Sequence, residues 1–412
     1  MNIRIKGGIF GGEIEAPPSK SYTHRATVMS FLAKGESTIL NPLISLDTSK
    51  TFEGVKALGA KINKNKILGG NFKTPENILD CGGSGTTLRL LTGVSCFLDG
   101  IVVFTGNKSL RKRPMKDLLE TLKSLKARIW SREGFLPIAT RGGLEGGKVT
   151  LDCKKSSQFL SSLLISLPLA KRDSEVKVKN LKSKPYVEIT EEMLKKFGIE
   201  VERRNDVYKI PANQSYKPQR YKIMGDFSQA AFFMVAAAIA NKKITVKNLN
   251  FKTKQGDKKI VDILKRMGAD VLVSKKAITV WGGDLKGEKI DCSSIPDLFP
   301  ILCILGAFAK GKTLLYNAHH LHYKESDRIK NMASELRKLG IKTEERHDGL
   351  MVYQGDLKRN IVLNSHDDHR ICMALSVAAL KSENITIKNV DCVSESYPNF
   401  FDDLKRIGVV IE

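Results

Sequence analysis

A helix-ending pattern that recurs six times is the feature that most restricts how this chain of 412 residues can fold. Six helical segments end in similar octapeptides, and the turn residue of each lies 67 to 72 positions after the one before it. These turn residues are Gly59, Lys126, Gly198, Gly268, Gly340 and Gly408. Glycine suits the position after a helix because it adopts positive φ at no steric cost, and a strand-like run follows each time. The repeat of about seventy residues therefore predicts six copies of one structural unit.

Each copy also contains a second helical segment that is apolar on nearly all sides, as is typical of a buried helix. These segments are predicted at residues 25–34, 86–98, 158–170, 229–241, 297–309 and 369–381. A short strand-like segment follows each of them, for example at residues 175–181. Each unit is therefore expected to combine strands, one buried helix and one amphipathic helix, which is an α/β fold.

Six units in a chain of this length favour two domains with three units each. Residues 211–218 are loop-like, and the helix of the fourth unit is expected after residue 228, so we predict a hinge near residues 224–227. The predicted domains are residues 15–225 and residues 1–14 together with 226–412. The first strand, within residues 1–14, is accordingly expected to pair with the carboxy-terminal domain.

The composition is that of a globular protein, with 42% hydrophobic and 27% charged residues. Because the sequence has no apolar run of about 18 residues and no apolar segment at its start, we expect no membrane span and a cytoplasmic location. The seven cysteines are widely spaced and form no CxxC pair. They are expected to be reduced thiols and not disulfides or zinc ligands.

The net charge of +24 is compatible with nucleic acid, a membrane surface or small anionic substrates as partners. The excess is spread along the chain, without a long basic block or an aromatic-rich basic patch. Nucleic acid is therefore the less favoured partner, and we expect part of the charge to attract anions into a cleft.

Small and polar residues precede each buried helix, where the first amides of a helix lack backbone partners. In the segment PPSKSYTHR at residues 17–25, Lys20 and Arg25 flank the expected start of a helix, which suits an anion. An ordinary capped helix is the alternative, and the similar helix starts further along the chain argue against it. A glycine-rich turn at residues 81–87 enters another helix, but it is neither a Walker loop nor GxGxxG.

Further polar residues at predicted helix starts are less specific. Ser156, Ser157 and Gln158 taken alone are better explained as an ordinary cap, and the segment from Ser183 to Tyr186 carries similar weight. Three arginines near helix starts have the planar fork that suits carboxylate and phosphate oxygens. They are Arg113, Arg328 and Arg370.

Asp297 precedes an apolar helix, where it could cap the helix or act as an acid–base group tuned by nearby cations. Glu325 lies in the charged segment KESDR, for which local ion pairing is the alternative, since Lys324 and Arg328 would share a helix face. The histidines at residues 319, 320 and 322 lack an accompanying HExxH pattern, so metal binding is disfavoured.

Nine of these motifs together resemble the 5-enolpyruvylshikimate-3-phosphate synthase family of enolpyruvyl transferases. They occur in the family order from Lys20 to Phe401. The motifs are PPSKSYTHR, GGSGTTLRLL, KRPM, SSQFLSSLL, SKPYVEIT, IPD, KESDRI, DDHRICMA and SYPNFF.

The resemblance implies an inside-out α/β barrel of two domains, each with three βαβαββ-type units, and an active site in the cleft between them. It also implies transfer of the enolpyruvyl group from phosphoenolpyruvate to the 5-hydroxyl of shikimate 3-phosphate, with release of phosphate, in the shikimate pathway of aromatic amino acid biosynthesis. No metal or organic cofactor is implied. We expect a monomer, because the plan of six units is already internally closed.

The resemblance also implies roles for individual residues. The residues implied to bind shikimate 3-phosphate are Lys20, Ser21, Arg25, Ser156, Ser157, Gln158, Ser183, Tyr186, Asp297 and Lys324. Those implied to bind phosphoenolpyruvate are Lys20, Gly83, Gly85, Arg113, Gln158, Arg328 and Arg370. Asp297, Glu325 and Lys20 are the implied catalytic residues: Asp297 would take the proton of the hydroxyl, Glu325 would act at C3, and Lys20 would shuttle charge.

The chain departs from the family pattern at three positions. Gly83 and His320 each stand where asparagine is common, and Glu395 stands where many members have lysine, which predicts weaker binding of phosphoenolpyruvate. Gly85 keeps the small residue that lets glyphosate fit in sensitive members, so we predict sensitivity to glyphosate.

Two alternative functions remain open from the sequence. A sister enolpyruvyl transferase acts on UDP-N-acetylglucosamine, but its reactive cysteine is missing from residues 106–111 of this chain. A non-catalytic anion- or nucleic-acid-binding repeat protein would account for the charge, but it would not need Asp297 and Glu325 among the cations.

Overall fold

The computed structural model describes residues 1–8 and 11–412, and the chain folds into two compact units. The N-terminal unit comprises Pro18–Ile223, and the C-terminal unit comprises Met1–Pro17 together with Met224–Glu412. The chain therefore passes between the units after residues 17 and 223, where the sequence led us to expect residues 14 and 225. Each unit has its own hydrophobic core.

The chain begins with two strands, β1 (Asn2–Gly7) and β2 (Gly12–Glu15), that belong to the C-terminal unit. The elements of the N-terminal unit follow in chain order. They are α1 (Lys20–Leu32), β3 (Gly35–Leu40), α2 (Leu46–Ala57), β4 (Lys61–Asn63), β5 (Lys66–Gly69), β6 (Leu79–Asp80), α3 (Gly85–Ser95), β7 (Val102–Thr105), α4 (Lys116–Ser124), β8 (Ile129–Arg132), β9 (Phe135–Thr140), β10 (Lys148–Asp152), α5 (Gln158–Ser166), β11 (Ser174–Lys179), α6 (Lys184–Lys196), β12 (Glu202–Arg204), β13 (Val207–Ile210) and β14 (Arg220–Lys222).

The remaining elements form the rest of the C-terminal unit. They are α7 (Phe227–Ala240), β15 (Ile244–Lys247), α8 (Ile260–Arg266), β16 (Ala269–Val273), β17 (Ile278–Gly283), β18 (Lys289–Asp291), α9 (Phe299–Ala307), β19 (Lys312–Tyr316), α10 (Arg328–Lys338), β20 (Thr343–Arg346), β21 (Gly349–Tyr353), β22 (Val362–Asn364), α11 (His369–Ala379), β23 (Ile385–Lys388), α12 (Phe400–Arg406) and β24 (Val410–Ile411). Short 3-10 helices include Leu110–Lys112, Gly256–Lys259, His319–Tyr323 and Val390–Glu395.

The described strands form six four-stranded sheets that share one topology. In the second unit along the chain, β6 pairs parallel with β7, β7 pairs antiparallel with β9, and β9 pairs antiparallel with β8. With α3 and α4 between the strands, this is a βαβαββ unit. The same order recurs in β10–β11–β13–β12 and β18–β19–β21–β20. The predicted α/β fold of six repeated units is confirmed.

The other three sheets each contain a strand that is distant in sequence. The strand β2 precedes α1 but pairs parallel with β15, and β14 precedes α7 but pairs parallel with β3. The strand β1 takes the fourth place in the sheet of β22, β23 and β24. The prediction of one first strand was therefore wrong: this segment contains two strands in two different sheets, and residues 9 and 10 between them lie outside the described part of the chain.

Hydrogen bonds fix the two segments in which the chain passes between the units, near residues 17 and 225. The amide of Asp226 donates to the carbonyl of Pro17 at 2.8 Å. The side chain of Asn248 donates to Ala16 O at 3.1 Å, and that of Gln255 donates to Gly225 O at 2.9 Å. Both segments are therefore anchored within the C-terminal unit.

The buried helices lie close to their predicted positions because their apolar residues cover every face. Residues 227–239 of α7 are all buried, and so are all residues of α9 and α11. The largest difference is in α1, which begins at Lys20 instead of Arg25, so the segment SYTHR forms its first two turns. Lys126 has a φ of 74°, so lysine adopts the left-handed conformation that glycine has in other repeats. In the described residues, no helix is long and apolar enough to cross a membrane.

Candidate active site

In the C-terminal unit, one buried arginine gathers three carboxylates from three different segments. Arg328 is 1% exposed and donates from Nε to Asp368 Oδ2 at 2.9 Å, from Nη1 to Asp297 Oδ1 at 2.9 Å, and from Nη2 to Glu325 Oε2 at 2.8 Å. These residues, together with Arg370, are termed the arginine cluster below. The cluster brings together four of the residues predicted from the sequence and adds Asp368.

The starts of α10 and α11 position this cluster. Arg328 is the first residue of α10, whose N-cap Asp327 accepts a hydrogen bond from Lys330 N. Asp368 caps α11 by accepting from the amide of Arg370 at 2.9 Å, and its side chain is fully buried. The cap and the ion pair therefore fix both helix starts through the same carboxylate.

Asp297 accepts from both arginines of the cluster, since Arg370 Nη2 lies 3.2 Å from its Oδ2. Burial alone would raise the pKa of this carboxyl, but the charges of Arg370, Arg328 and Lys324 outweigh burial and hold the pKa well below its usual range. For Arg328, the nearby carboxylates outweigh burial and raise the guanidinium pKa. Asp297 is therefore a carboxylate held ionised by cations.

Two expectations about this region were wrong. Asp297 does not cap the following helix, because α9 begins at Phe299 and Leu298 occupies the N-cap position. Lys324 and Arg328 do not share a helix face, because α10 begins at Arg328 and Lys324 is the C-cap residue of the preceding 3-10 helix. The charged residues around Arg328 are joined through the tertiary fold and not along one helix.

Two histidines of this region each pair with a carboxylate. His369, beside Arg370 in α11, is buried, and its Nδ1 lies 3.0 Å from Glu395 Oε2. His322 Nδ1 lies 2.8 Å from Asp327 Oδ2, and His320 is 3% exposed. Among the described residues, no group of three or more His, Cys, Asp or Glu side chains has the arrangement of a metal site.

In the N-terminal unit, Arg25 of the predicted anion site joins three helices. Its guanidinium is fully buried and donates to Thr190 Oγ1 at 2.7 Å, to Tyr186 O at 3.0 Å and to Ser161 Oγ at 3.3 Å. Burial lowers the pKa of Arg25 to about 10, so it stays charged at neutral pH. These bonds tie α1 to α5 and α6.

Lys20 is the first residue of α1, and its Nζ donates to Asp47 Oδ2 in α2 at 2.8 Å. The side chains are 14% and 9% exposed. Burial, together with the charges of Lys20 and Arg25, lowers the pKa of the nearby His24. The environment at the start of α1 is therefore strongly cationic, and Asp47 is the carboxylate that balances Lys20.

Gln158 connects the starts of α3 and α5. Its Oε1 accepts from Arg89 Nη1 at 2.7 Å, and its Nε2 donates to Thr86 Oγ1 at 2.8 Å. Gly85 begins α3, and a Cβ added there would lie 2.8 Å from Nη1 of both Arg89 and Arg113. The missing side chain of Gly85 thus lets two guanidinium groups approach the amide end of a helix, where an anion is favoured.

The remaining predicted residues of this unit lie at helix starts. Ser156 Oγ accepts from the amide of Gln158 at 3.2 Å, whereas Ser157, the N-cap of α5, makes no capping bond with its side chain. Ser183 is the N-cap of α6 with a φ of 52°, and Ser21 is half-buried in α1. Gly83 lies in the turn between β6 and α3. Ordinary capping therefore accounts for Ser156 but not for Ser157.

The structure adds functional candidates that the sequence did not single out. Asp47 and Asp368 are buried carboxylates that pair with Lys20 and Arg328, and Arg89 contacts Gln158. Asp257 is a third buried carboxyl, bonded to Ser228. Asp368 had a sequence signal, because it lies in the motif DDHR next to Arg370. Asp47 and Asp257 lie in polar segments without a recognisable motif, so only their tertiary contacts identify them.

Solved structures define the class of protein. The chain matches the EPSP synthase from Acinetobacter baumannii with a TM-score of 0.84 and 29% identity, over 100% of this chain and 99% of that chain. It also matches the enolpyruvyl transferase NikO from Streptomyces tendae with a TM-score of 0.80 at 18% identity, a likeness of fold alone. The fold is therefore that of the enolpyruvyl transferases.

Sequence relatives define the family within this class. The family model for EPSP synthase (3-phosphoshikimate 1-carboxyvinyltransferase) matches residues 6–404. The 3-phosphoshikimate 1-carboxyvinyltransferases of Methanocaldococcus jannaschii and Methanocella arvoryzae are 42% and 43% identical to this chain. These matches cover 97% of this chain and 96% of the first relative, and 100% of both chains for the second.

The chain belongs to the EPSP synthase family, and it is an enzyme of the transferase class. The resemblance inferred from the nine motifs is thereby confirmed.

Proposed function

We propose that the protein transfers the enolpyruvyl group of phosphoenolpyruvate to the 5-hydroxyl of shikimate 3-phosphate and releases phosphate. The observation that carries this proposal is the arginine cluster, in which two buried arginines hold one carboxylate, Asp297, shortly before a helix. Such a site offers both anion binding and a proton acceptor, which is what this addition to a phosphorylated enol requires.

Most of the residues assigned to shikimate 3-phosphate belong to the N-terminal unit. Its phosphate is assigned to Ser156, Ser157 and Ser183 at the starts of α5 and α6, where free helix amides add to the hydroxyls. Lys20, Ser21 and Arg25 would bind the same substrate, and Arg25 is already fixed by Thr190. The remaining residues assigned to this substrate are Gln158, Tyr186, Asp297 and Lys324.

Phosphoenolpyruvate would be bound by guanidinium groups, whose planar forks match its carboxylate and phosphate. Arg113 lies against Gly85 at the start of α3, and Arg328 and Arg370 belong to the arginine cluster. The backbone of Gly83, with Gln158 and Lys20, completes this set of residues.

The proposed chemistry is addition followed by elimination. The 5-hydroxyl oxygen forms a bond to C2 of phosphoenolpyruvate while Asp297 takes the hydroxyl proton and Glu325 delivers a proton to C3. The resulting tetrahedral ketal then loses phosphate from C2, which takes up the proton held by Asp297, while the C3 proton returns to Glu325. The double bond is restored as an enol ether, with Glu325 protonated and Asp297 ionised as at the start. Lys20 stabilises the negative charge that moves during these steps.

Binding of the anionic substrate would itself prepare the base. In the protein without substrate, Asp297 is a weak base because Arg328 and Arg370 stabilise its charge. The carboxylate and phosphate of phosphoenolpyruvate compete for the same guanidinium groups, so their binding reduces this stabilisation and raises the proton affinity of Asp297. Base strength is therefore gained when the second substrate is present.

The proposal is tested by phosphate release on mixing the two substrates with the protein. Asp297→Ala should reduce kcat by about 10²- to 10⁴-fold, the usual contribution of a general base. Asp270→Ala is the matched control, since Asp270 is an exposed aspartate of the same unit. Absence of turnover in the wild type would refute the function, and full turnover in Asp297→Ala would refute the mechanism.

Inhibition provides a second test, because Gly85 leaves room beside Arg89 and Arg113. Glyphosate should inhibit in competition with phosphoenolpyruvate, and Gly85→Ala should weaken this inhibition by displacing the guanidinium groups. No inhibition of the wild type at about millimolar glyphosate would contradict the assignment of this space.

We further propose that the protein is a cytoplasmic monomer that binds neither nucleic acid nor membranes. Gel filtration would check the monomer, and a DNA-binding assay at several salt concentrations would check the absence of nucleic-acid binding.

A further inference from the structure

A buried histidine without an assigned role lies in the helix that begins with Lys20. His24 in α1 is 1% exposed. Its Nδ1 lies 2.6 Å from Thr51 Oγ1 in α2, whereas its Nε2 is buried without a hydrogen-bond partner among the described residues. In a neutral imidazole one nitrogen donates and the other accepts, so the bond at Nδ1 depends on which nitrogen carries the hydrogen.

A chain of hydroxyl groups leads from this histidine to the start of α3. Thr51 Oγ1 lies 2.6 Å from Thr87 Oγ1, and Thr87 Oγ1 donates to Ser84 Oγ at 2.8 Å. Ser84 is the N-cap residue of α3, and its Oγ also accepts from the amide of Thr87. The hydroxyl chain, which comprises Thr51, Thr87 and Ser84, thus joins α1 and α2 to the cap directly before Gly85.

The hydrogens of the hydroxyl chain follow one direction. A threonine hydroxyl has a single hydrogen, and Thr87 donates its hydrogen to Ser84. Thr87 must therefore accept from Thr51, and Thr51 in turn must accept from His24 Nδ1. The opposite tautomer would place a hydrogen on Nε2, where a buried donor without an acceptor is costly.

The surroundings also keep the ring neutral. Lys20 lies one turn before His24 in α1, and Arg25 follows it directly. Burial and then the charges of these two cations lower the pKa of His24 well below its usual value. The ring therefore keeps a single hydrogen at neutral pH.

Two adjacent residues of α1 hold different helices. Arg25 bonds to Ser161 and Thr190 and so ties α1 to α5 and α6, whose starts carry serines assigned to shikimate 3-phosphate. His24 acts through the hydroxyl chain and ties α1 to α2 and α3. Gly85, which is assigned to phosphoenolpyruvate, begins α3. Loss of the hydroxyl chain should therefore affect one substrate more than the other.

We propose that His24 is a positioning residue of the transfer reaction, whose Nδ1–H directs the hydroxyl chain that fixes the first turn of α3 against α1. This inference rests on the proposed function in assigning Lys20, Gly83 and Gly85 to phosphoenolpyruvate. His24 itself touches no substrate in this scheme and exchanges no proton with it. Its role is to hold Lys20 and the glycine-rich turn in one arrangement.

Imidazole NMR tests the tautomer without any need for turnover. In protein with isotope-labelled histidine, one ring should show the neutral Nδ1–H form from about pH 6 to about pH 8. This signal should be absent in His24→Asn and present in His347→Asn, a matched change at an exposed histidine. A His24 ring with its hydrogen on Nε2, or a charged ring at neutral pH, would overturn the proposal.

Threonine-to-valine changes test the hydroxyl chain at nearly constant shape. Thr87→Val should raise the KM for phosphoenolpyruvate by about three- to tenfold, as expected for one lost hydrogen bond, and the KM for shikimate 3-phosphate by less than about twofold. Thr92→Val is the matched control and should change neither, because Thr92 is also buried in α3 but its hydroxyl donates to Leu88 O of the same helix. Equal effects of the two variants, or equal rises of both KM values, would refute the positioning role.

Substitution of the histidine itself separates donation from packing. His24→Asn keeps an N–H group at the δ position of the side chain, whereas His24→Leu loses the donor. The asparagine variant should keep the KM for phosphoenolpyruvate within about threefold of the wild type, and the leucine variant should match Thr87→Val. Equal KM values for the asparagine and leucine variants would refute the donor role, and Thr87→Val decides the matter even where His24→Leu does not fold. Absence of any wild-type turnover would instead refute the proposed function, and with it the assignment of phosphoenolpyruvate on which this role depends.

Discussion

Replacement of Arg328 by alanine should destabilise the C-terminal unit far more than loss of an ordinary arginine ion pair. Three carboxylates, Asp297, Glu325 and Asp368, lie within 2.9 Å of its guanidinium nitrogens. Arg328 is 1% exposed and Asp368 is 0% exposed. Without the arginine, Asp368 would keep, among the described residues, the neutral hydrogen bonds from Ser326 Oγ and Arg370 N.

The magnitude follows from the burial of the charge that is left behind. Removing one partner of a buried ion pair costs about 3–5 kcal/mol, because the remaining ion is neither hydrated nor paired. Arg337 in the same helix provides the matched control. It donates to Glu345 at 2.8 Å, but the two side chains are 48% and 40% exposed, so Arg337→Ala should cost at most about 1 kcal/mol.

The two tryptophans of the chain allow the measurement to be confined to one unit. Trp130 lies in β8 of the N-terminal unit and Trp281 lies in β17 of the C-terminal unit. In a Trp130→Phe background, urea unfolding followed by fluorescence therefore reports the C-terminal unit, without assuming that both units unfold together. Free energies of unfolding for Arg328→Ala and Arg337→Ala that agree within about 1 kcal/mol would refute the reasoning about burial. Arg328→Lys should fall between them, because lysine keeps the charge but lacks the fork.

Three further changes have defined outcomes. Lys126→Gly should raise the stability of the N-terminal unit by up to about 1 kcal/mol in urea unfolding, because lysine is strained at a φ of 74°, and a loss of stability would contradict this. Burial and the charge of Asp297 raise the pKa of Asp257 in the folded protein to about 7, whereas an aspartate of the unfolded chain has a pKa near 4. The free energy of unfolding of the wild type should therefore fall as the pH rises from about 4 to about 7, and Asp257→Asn should reduce that fall. Equal falls in the two proteins would contradict this prediction. Native protein should react quickly with a thiol reagent only at the partly exposed Cys392. The other cysteines are buried, and burial raises the pKa of the Cys153 thiol, for example, to about 12. Mass spectrometry counts the labelled cysteines, and fast labelling of several of them would contradict this prediction.

The repeat was predictable from the sequence because each unit satisfies the same local requirements. A helix covered by apolar residues on all sides must be buried, and a glycine with positive φ ends the amphipathic helix in most copies. These local signals placed the six buried helices within a few residues of their observed bounds. Lys126 replaces this glycine in one copy, yet its backbone keeps the positive φ of the other copies.

The sequence did not predict that two strands join sheets of the other unit. Strands β2 and β14 each precede a buried helix of one unit but complete a sheet of the other. Because the two strands occupy equivalent places in equivalent sheets, their local sequence does not distinguish between the two pairings. Only the complete set of strand pairings decides which sheet each one joins.

The same limit applies to the charged residues. The sequence identified Asp297, Glu325, Arg328 and Arg370 as candidates, but it placed the charges of one segment along a single helix. The structure joins them through Asp368, a helix cap that is also an ion-pair partner. A residue with two such roles is recognised from tertiary contacts, since each role alone is common at helix starts.

Glu395 shows how a tertiary contact changes the interpretation of a sequence difference. From the sequence, glutamate in place of lysine removes a cation that would face phosphate and predicts weaker binding of phosphoenolpyruvate. In the structure, Glu395 lies 3.0 Å from Nδ1 of the buried His369, next to Arg370. An ionised carboxylate accepts but does not donate hydrogen bonds, so it pairs with the ring when Nδ1 carries the hydrogen. Glu395 is therefore the partner that orients the His369 ring beside the arginine cluster, a role that the sequence alone did not show.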